Sequence, residues 1–213
     1  MNKYIIYKID FRLLLWLIFA FIIATIAGTV SHEYGHYLTY QLAGVDAKVH
    51  YASTSLIIPD DFDGIISKKD TFLMTLGGPL QTLFTGSIGL FLLYFNRKKI
   101  RLLEKLNMIH WFYIFLALFW LRQTANFVLW TTKYLTHGYF SQQMDEVKLA
   151  LHLNIPEWSI IFPTAILGFV VTMHVIFGYI PIKQRFTFII SGITGGVLGF
   201  YLWLILFGKI IMP

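Results

Sequence analysis

Five apolar runs, each about as long as a bilayer is thick, dominate the pattern of this chain. They cover about Phe11 to Val30, Phe72 to Phe95, Ile109 to Trp130, Trp158 to Ile180 and Phe186 to Phe207. A transmembrane helix needs roughly 20 predominantly apolar residues, so each run predicts one membrane-spanning helix. The pattern therefore predicts an all-α, multi-pass integral membrane protein with about five transmembrane helices.

The composition agrees with a lipid environment. Apolar and aromatic residues make up 57% of the 213 residues and charged residues only 13%, which leaves too little polar surface for a soluble globule. The net charge of +6 comes from basic residues that lie between the apolar runs, a distribution that indicates membrane topology and argues against a nucleic-acid partner. The chain has no cysteine, so a metal ion would need His, Asp or Glu ligands.

The basic residues also predict an orientation. One side has ten Lys and Arg: Lys3, Lys8, Arg12, Arg97, Lys98, Lys99, Arg101, Lys105, Lys183 and Arg185. The other side has six: Lys48, Lys68, Lys69, Lys133, Lys148 and Lys209. The positive-inside rule then places the N-terminus in the cytoplasm. A signal peptide is disfavoured, because cleavage near Ala27 would leave the histidine motif described below on a new N-terminus.

The loop 44–71 predicts a small β-hairpin. Val45, Ala47, Val49 and Tyr51 alternate with other positions, as in a strand with one apolar face. Such a strand suits either pairing with an extended peptide or an ordinary surface hairpin. Later in the loop, acidic residues at 60, 61 and 63 precede a glycine, and we interpret them as a solvated turn in preference to a calcium loop.

The strongest chemical signal follows the first run directly. Residues 32–36 read His-Glu-Tyr-Gly-His, an H-E-x-x-H motif, whose chance occurrence in a chain of this composition is about 0.4%. If the helix continues to about Leu42, His32 and His36 lie on one face, as two ligands of one tetrahedral zinc do. Glu33 projects beside them, where a general base is needed. The motif predicts a metal site.

A zinc site needs a third ligand from the same side of the membrane. The residues on that side that qualify are His50, His137, Asp145, Glu146 and His152. A short helix from about Gln142 to Leu153, ended by Pro156, would place Asp145 and His152 on one face. His110 and His174 belong to the opposite side, and we interpret them as core or interface residues.

His32, Glu33 and His36 in a transmembrane helix resemble the motif of the site-2 protease family of intramembrane zinc metalloproteases. Leu76-Gly77-Gly78-Pro79-Leu80-Gln81-Thr82, at the start of the second run, is similar to a second family element, with Thr82 in place of the usual Asn. The resemblance covers about residues 1–150 and implies a three-helix protease core. Spans four and five, within 151–213, would be additional helices of the same single domain, 1–213.

The resemblance also implies the roles of individual residues. It implies one zinc per chain bound by His32, His36 and an aspartate, for which Asp145 is the nearest equivalent, with Glu146, His137 and His152 as alternatives. Gly78, Pro79 and Thr82 would then lie near the substrate. Arg122 and Asn126 interrupt the third run at a four-residue spacing, which suits either a donor to the oxyanion or a polar contact between helices.

The function expected from these features is a zinc-dependent metalloendopeptidase that cleaves membrane-embedded or membrane-associated proteins or peptides, with Glu33 as general base. Water would need a polar cleft, which we expect along Gly77, Gly78 and Thr82. The main alternative is an inactive member of the same fold that acts as a membrane chaperone, sensor or transport component. A lipid desaturase or hydroxylase is disfavoured, because only one closely spaced histidine pair is present.

Overall fold

The computed structural model describes residues 4–57 and 67–213, which are mostly helical. In chain order the elements are α1 (Phe11–Leu42), β1 (Ala47–Val49), β2 (Thr54–Leu56), α2 (Lys68–Arg101), α3 (Met108–Ala117), α4 (Leu121–His137), α5 (Asp145–His152), α6 (Trp158–Tyr179), α7 (Ile182–Phe200) and α8 (Gly208–Ile211). A 3₁₀ turn, Leu118–Trp120, joins α3 to α4, and a π-helical segment, Tyr201–Phe207, joins α7 to α8.

The prediction of five long apolar helices is confirmed. The helices that are long and apolar enough to cross a membrane are Phe11–Leu42, Lys68–Arg101, Met108–His137, Trp158–Tyr179 and Ile182–Ile211. This arrangement is compatible with a multi-pass membrane protein. At 32 residues, α1 is about 48 Å long, so it extends well beyond a hydrocarbon layer of about 30 Å. The histidine motif lies in its last third.

Side-chain caps explain where the first three long helices begin. Asp10 accepts a hydrogen bond from the backbone N–H of Leu13, and Asn107 accepts one from the N–H of His110. Ser67 caps α2 in the same way through the N–H of Asp70. These side chains satisfy amide groups that have no partner within the helix.

Helix α1 lies between α7 and α2 and contacts both through glycines. Towards α7, an added Cβ on Gly195 would lie 2.6 Å from the carbonyl oxygen of Ile18. Towards α2, an added Cβ on Gly35 would lie 2.6 Å from the carbonyl oxygen of Gly77. Small residues at these positions let the backbones approach closely. Helix α6 packs on α4 and α5, and α3 packs on α2.

The core has two parts. The larger cluster includes Leu17, Leu93, Trp111 and Val175 and joins the long helices at the end of the bundle away from the histidines. A smaller cluster of Trp130, Val147 and Ile161 fixes α5 against α4 and α6. Large apolar side chains such as Leu15, Phe19 and Phe84 are exposed on the outer surface, as lipid-facing residues are.

The predicted hairpin is confirmed. β1 and β2 pair antiparallel, with Ala47 opposite Leu56 and Val49 opposite Thr54. The C-terminal segment supports the turn, because Trp203 Nε1 donates to the carbonyl oxygen of Tyr51 at 2.9 Å. The acidic turn at Asp60, Asp61 and Asp63 lies outside the described residues.

The short helix begins later than expected, at Asp145 rather than Gln142, and ends at His152. Before it, residues 141–144 form turns, held partly by Trp130, whose Nε1 donates to the carbonyl oxygen of Ser141 at 3.2 Å. Acidic residues favour the first turn of a helix, and Asp145 and Glu146 occupy it here.

Candidate metal centre

Both histidines of the motif are fixed by hydrogen bonds at Nδ1. His36 Nδ1 lies 2.7 Å from the carbonyl oxygen of Met74, which can only accept, and 3.3 Å from the backbone N–H of Gly78, which can only donate; the shorter contact assigns the proton to Nδ1. His32 Nδ1 lies 2.9 Å from Thr82 Oγ1, and that hydroxyl donates to the carbonyl oxygen of Gly78 at 3.1 Å. Thr82 therefore accepts from His32. In the neutral rings, both Nε2 atoms are then free to bind a metal.

Asp145 supplies the third group. Its Oδ2 lies 3.0 Å from His32 Nε2 and 3.3 Å from His36 Nε2. The residue comes from the start of α5, more than a hundred positions after the motif. His32, His36 and Asp145 form a largely buried group of side chains that could hold a metal ion.

The chemistry of the three atoms fits a cation. With Nδ1 protonated, each neutral ring turns a lone pair on Nε2 towards a carboxylate oxygen that also has only lone pairs. A metal ion satisfies all three acceptors at once. In a tetrahedral zinc site with bonds of about 2.0–2.1 Å, ligand atoms lie about 3.3–3.4 Å apart, close to the two Nε2–Oδ2 distances here.

Gly78 leaves the space around these nitrogens open. A Cβ at this position would lie 2.5 Å from His32 Nε2 and would overlap Nε2 of His36. Position 78 in the second motif must therefore be glycine, because a side chain there would overlap the two imidazole rings.

Glu33 is 5% exposed and is held by the hairpin. Thr54 Oγ1 lies 2.9 Å from the carbonyl oxygen of Glu33 and 3.1 Å from its Oε2. The carboxylate of Glu33 is not among the three converging ligand atoms. Its second oxygen, Oε1, makes no hydrogen bond within the described residues, so it can accept a proton from a water molecule.

The two acidic residues of α5 have opposite environments. Burial raises the pKa of Asp145, but the imidazoles of His32 and His36, which donate to its carboxylate whenever Nε2 is protonated, outweigh that effect and lower the pKa below the usual range. Burial also raises the pKa of Glu146, and here no such pair of partners compensates. Glu146 Oε1 accepts a hydrogen bond from Asn126 Nδ2 at 3.0 Å. Asp145 therefore remains a carboxylate, as a metal ligand must.

Arg122 and Asn126 differ in what they contact. Asn126 is engaged with Glu146, as a polar contact between helices. Arg122 interacts electrostatically with Glu33, Asp145 and Glu146, and its Nε is buried without a hydrogen-bond partner in residues 4–57 and 67–213. The positive charge of Arg122 therefore acts on the acidic residues of the site, and its Nε is a donor without a partner in the described part of the chain.

The other candidate ligands lie elsewhere. His50 contacts Ser55 Oγ through Nε2 at 2.8 Å, and His137 contacts Thr136. His152 is exposed, and its Nδ1 lies 3.0 Å from the carbonyl oxygen of Lys148. Glu146 turns towards Asn126 and is absent from the group of converging ligand atoms. Among the alternatives left open by the sequence, the geometry brings Asp145 alone to the histidines within the described chain.

The expected cleft along the second motif is not observed. Gly77, Gly78, Pro79 and Thr82 are all buried, because α1 lies directly against this part of α2. Gly78 and Thr82 instead shape and orient the imidazoles. Asp145, whose side chain is 19% exposed, is the most accessible member of the group.

Two contributors were missed by sequence reasoning. Thr54 contacts Glu33, and the carbonyl of Met74 orients His36. Both depend on tertiary contacts without any local pattern in the sequence.

Comparisons of the chain with protein-family models, with curated proteins and with solved structures find no match.

Proposed function

We propose that this chain is an intramembrane zinc metalloendopeptidase. The observation that carries the proposal is the convergence of His32 Nε2, His36 Nε2 and Asp145 Oδ2 beside a buried glutamate of the same H-E-x-x-H motif. Three protein ligands with an acid–base group are typical of catalytic zinc sites, which keep one position open. The resemblance to the site-2 protease family supports the same assignment.

His32, His36 and Asp145 would hold the zinc ion, which when bound supplies a Lewis acid that activates water and polarises the scissile carbonyl. Glu33 acts as the general base through Oε1, because Thr54 occupies Oε2. The proton taken up at Oε1 is then delivered to the leaving amine. Arg122 stabilises the negative charge that develops on the carbonyl oxygen, because its Nε has no hydrogen-bond partner among the described residues and its charge interacts with Glu33.

The hairpin offers a place for an extended substrate. The hydrogen bonds from His50 N to Ser53 O and from Ile57 N to Asp46 O define the bonded pairs of the ladder. The backbone groups of Thr54 and Leu56 therefore point away from β1. A peptide added at this edge would run beside Glu33, since Thr54 contacts that residue. The substrate class is a membrane protein or peptide with a locally unwound segment.

Metal content is the first test. The purified wild type is expected to contain one zinc per chain by elemental analysis, and both His36→Ala and Asp145→Ala are expected to lose it. His152→Ala is the matched control and should retain zinc, because that side chain is exposed and bonded only to its own helix. Zinc that persists in Asp145→Ala would contradict the three-ligand site.

Catalysis is tested with Glu33→Gln. This variant should keep one zinc per chain but lose turnover of fluorescein-labelled casein, and of a co-expressed single-span membrane protein, by about 10²–10⁴-fold, the usual contribution of a general base. Glu157→Gln, directly before α6, is the control and should remain active, because Glu157 contacts Gln142 and a glutamine oxygen can still accept that hydrogen bond. Wild-type protein that binds zinc and cleaves neither probe would refute the protease proposal and favour a non-catalytic role.

A further inference from the structure

A second polar site lies at the opposite end of the bundle. A cavity of about 410 Å³ opens between the end of α2 and the connection from α6 to α7. Gly78 and Arg101 are 23 residues apart on α2, so this cavity lies about 35 Å from the candidate metal centre. It contributes nothing to the chemistry proposed above.

The cavity is positively charged. Its charged lining residues are Arg101, Lys183, Arg185 and Glu104. Lys183 Nζ lies 3.1 Å from Glu104 Oε2, and this is the only ion pair that the cavity residues form within the described chain. Two positive charges, on Arg101 and Arg185, therefore remain without a carboxylate partner among the described residues.

Arg185 is fixed in place although no carboxylate in the described part of the chain pairs with it. Its Nε donates to the carbonyl oxygen of Ile180 at 2.8 Å, and its two terminal nitrogens donate to the carbonyl oxygens of Tyr4, at 2.8 Å, and Phe177, at 2.7 Å. A guanidinium group has five N–H donors, so two are left for a ligand. Because the side chain is already ordered, a ligand would not have to order it on binding.

The rest of the lining is apolar. Ile100 and Ile180 are almost fully buried beneath the cavity, and Leu103 and Ile182 complete its walls beside Tyr179. A ligand that fits must therefore combine an anion with an apolar part. A phosphate ester joined to acyl chains meets both requirements, and guanidinium groups suit phosphate oxygens.

We propose that this cavity binds the phosphate headgroup of an anionic phospholipid. The site lies at the basic end of the bundle, where the first three long helices and the last two come together. At this end of a membrane protein the lipid headgroups would lie beside it. Basic pockets between transmembrane helices are recognised sites for anionic lipid headgroups. This inference is independent of the proposed protease activity.

The test compares lipids and free phosphate on detergent-purified protein. Dihexanoyl phosphatidylglycerol and dihexanoyl phosphatidylcholine are titrated, and binding is followed by native mass spectrometry and thermal unfolding. We expect tighter binding of phosphatidylglycerol. Arg101→Gln combined with Lys183→Gln should weaken it about 25-fold, about fivefold for each cation, with phosphatidylcholine unchanged. Both side chains are exposed, so the variant should fold.

Two further variants sharpen the result. Lys98→Gln combined with Lys99→Gln removes the same charge from exposed positions at the same end and should leave the affinity within about twofold. Glu104→Gln frees Lys183 and should bind phosphatidylglycerol several-fold more tightly. Equal losses in the two double variants would overturn the proposal, because they would show non-specific attraction. Protection by inorganic phosphate or glycerol 3-phosphate without any by the lipid would overturn it in favour of a soluble phosphate ligand.

Discussion

Both halves of α1 pack closely against another helix at glycine residues, but the two contacts bring different groups together. The first half meets α7 at Gly195 and Gly199, where added Cβ atoms would meet Ile18, Phe21, Ile22 and Thr25. The second half meets α2 at Gly77 and Gly78, where added Cβ atoms would meet Gly35, Thr39 and the imidazoles of His32 and His36. In both halves glycine permits close approach of two helices.

The difference lies in the groups brought together by that approach. On the α7 side the atoms nearest the added Cβ atoms belong to the backbone, Phe21 and Thr25, and no imidazole or carboxylate is among them. On the α2 side the close approach places Thr82 and the carbonyl of Met74 within hydrogen-bond distance of two imidazoles. The glycine contact between α1 and α2 therefore does more than pack two helices, because it brings buried polar groups of both helices within hydrogen-bond distance of each other.

The largest expected effect is on Gly78. Gly78→Ala should abolish zinc binding, because the new methyl group would occupy the space next to both Nε2 atoms. Elemental analysis of the purified variant measures this directly. Gly195→Ala is the matched substitution in the other half and should keep one zinc per chain while it lowers stability, since overpacking costs about 1–3 kcal/mol. Full zinc content in Gly78→Ala would remove the distinction between the two halves.

Much of the fold follows from the sequence because long apolar runs constrain it strongly. In a bilayer, backbone polar groups must be satisfied internally, so such a run has essentially one solution, a helix. The continuation of α1 to Leu42 follows from the absence of a helix breaker after the motif. The start of α5 is harder to predict, because the segment before it is held partly by a hydrogen bond from Trp130, a residue of α4 that is distant from Ser141 in sequence.

The candidate site likewise has one part that the sequence predicts and one part that it leaves open. His32, Glu33 and His36 belong to one helix, and their spacing alone defines a common face. The third ligand comes from a separate helix, and nothing local distinguishes Asp145 from Glu146 beside it. Only the packing of α5 on α2 and α6 turns Asp145 to the histidines and Glu146 to Asn126. The orientations of these two side chains depend on tertiary packing, so the sequence alone leaves the third ligand open.

Thr82→Val sharpens the α2 side of the comparison. The substitution keeps the shape of the side chain but leaves Nδ1–H of His32 buried without an acceptor, because Thr82 is 1% exposed. Loss of such a supporting hydrogen bond typically lowers metal affinity about 10–100-fold. Competition with a chromophoric zinc chelator measures the affinity. Thr82→Ser should stay near the wild type, and an unchanged affinity in Thr82→Val would show that His32 needs no partner.

Thr54→Val tests the contact between the hairpin and Glu33, which belongs to neither of the two glycine contacts of α1. It removes the hydroxyl group beside Oε2 of Glu33, and we expect turnover of labelled casein to fall about tenfold, consistent with one hydrogen bond to a charged group. Zinc content should not change. Ser55→Ala is the control, since Ser55 contacts His50 and not Glu33. Equal losses in both variants would attribute the effect to hairpin stability rather than to Glu33.

The smallest effect is expected at Gly196, on the α7 side. Unlike Gly195, it has no atom of residues 4–57 or 67–213 within 4 Å of an added Cβ, so it takes no part in the contact with α1. Replacing a glycine inside a helix by alanine gains about 0.5–1 kcal/mol where the space is free. Gly196→Ala should therefore raise the unfolding midpoint in detergent by about 1–4 °C. A fall in the midpoint would instead show that this face of α7 packs against another molecule, because only a close neighbour makes the extra methyl group costly.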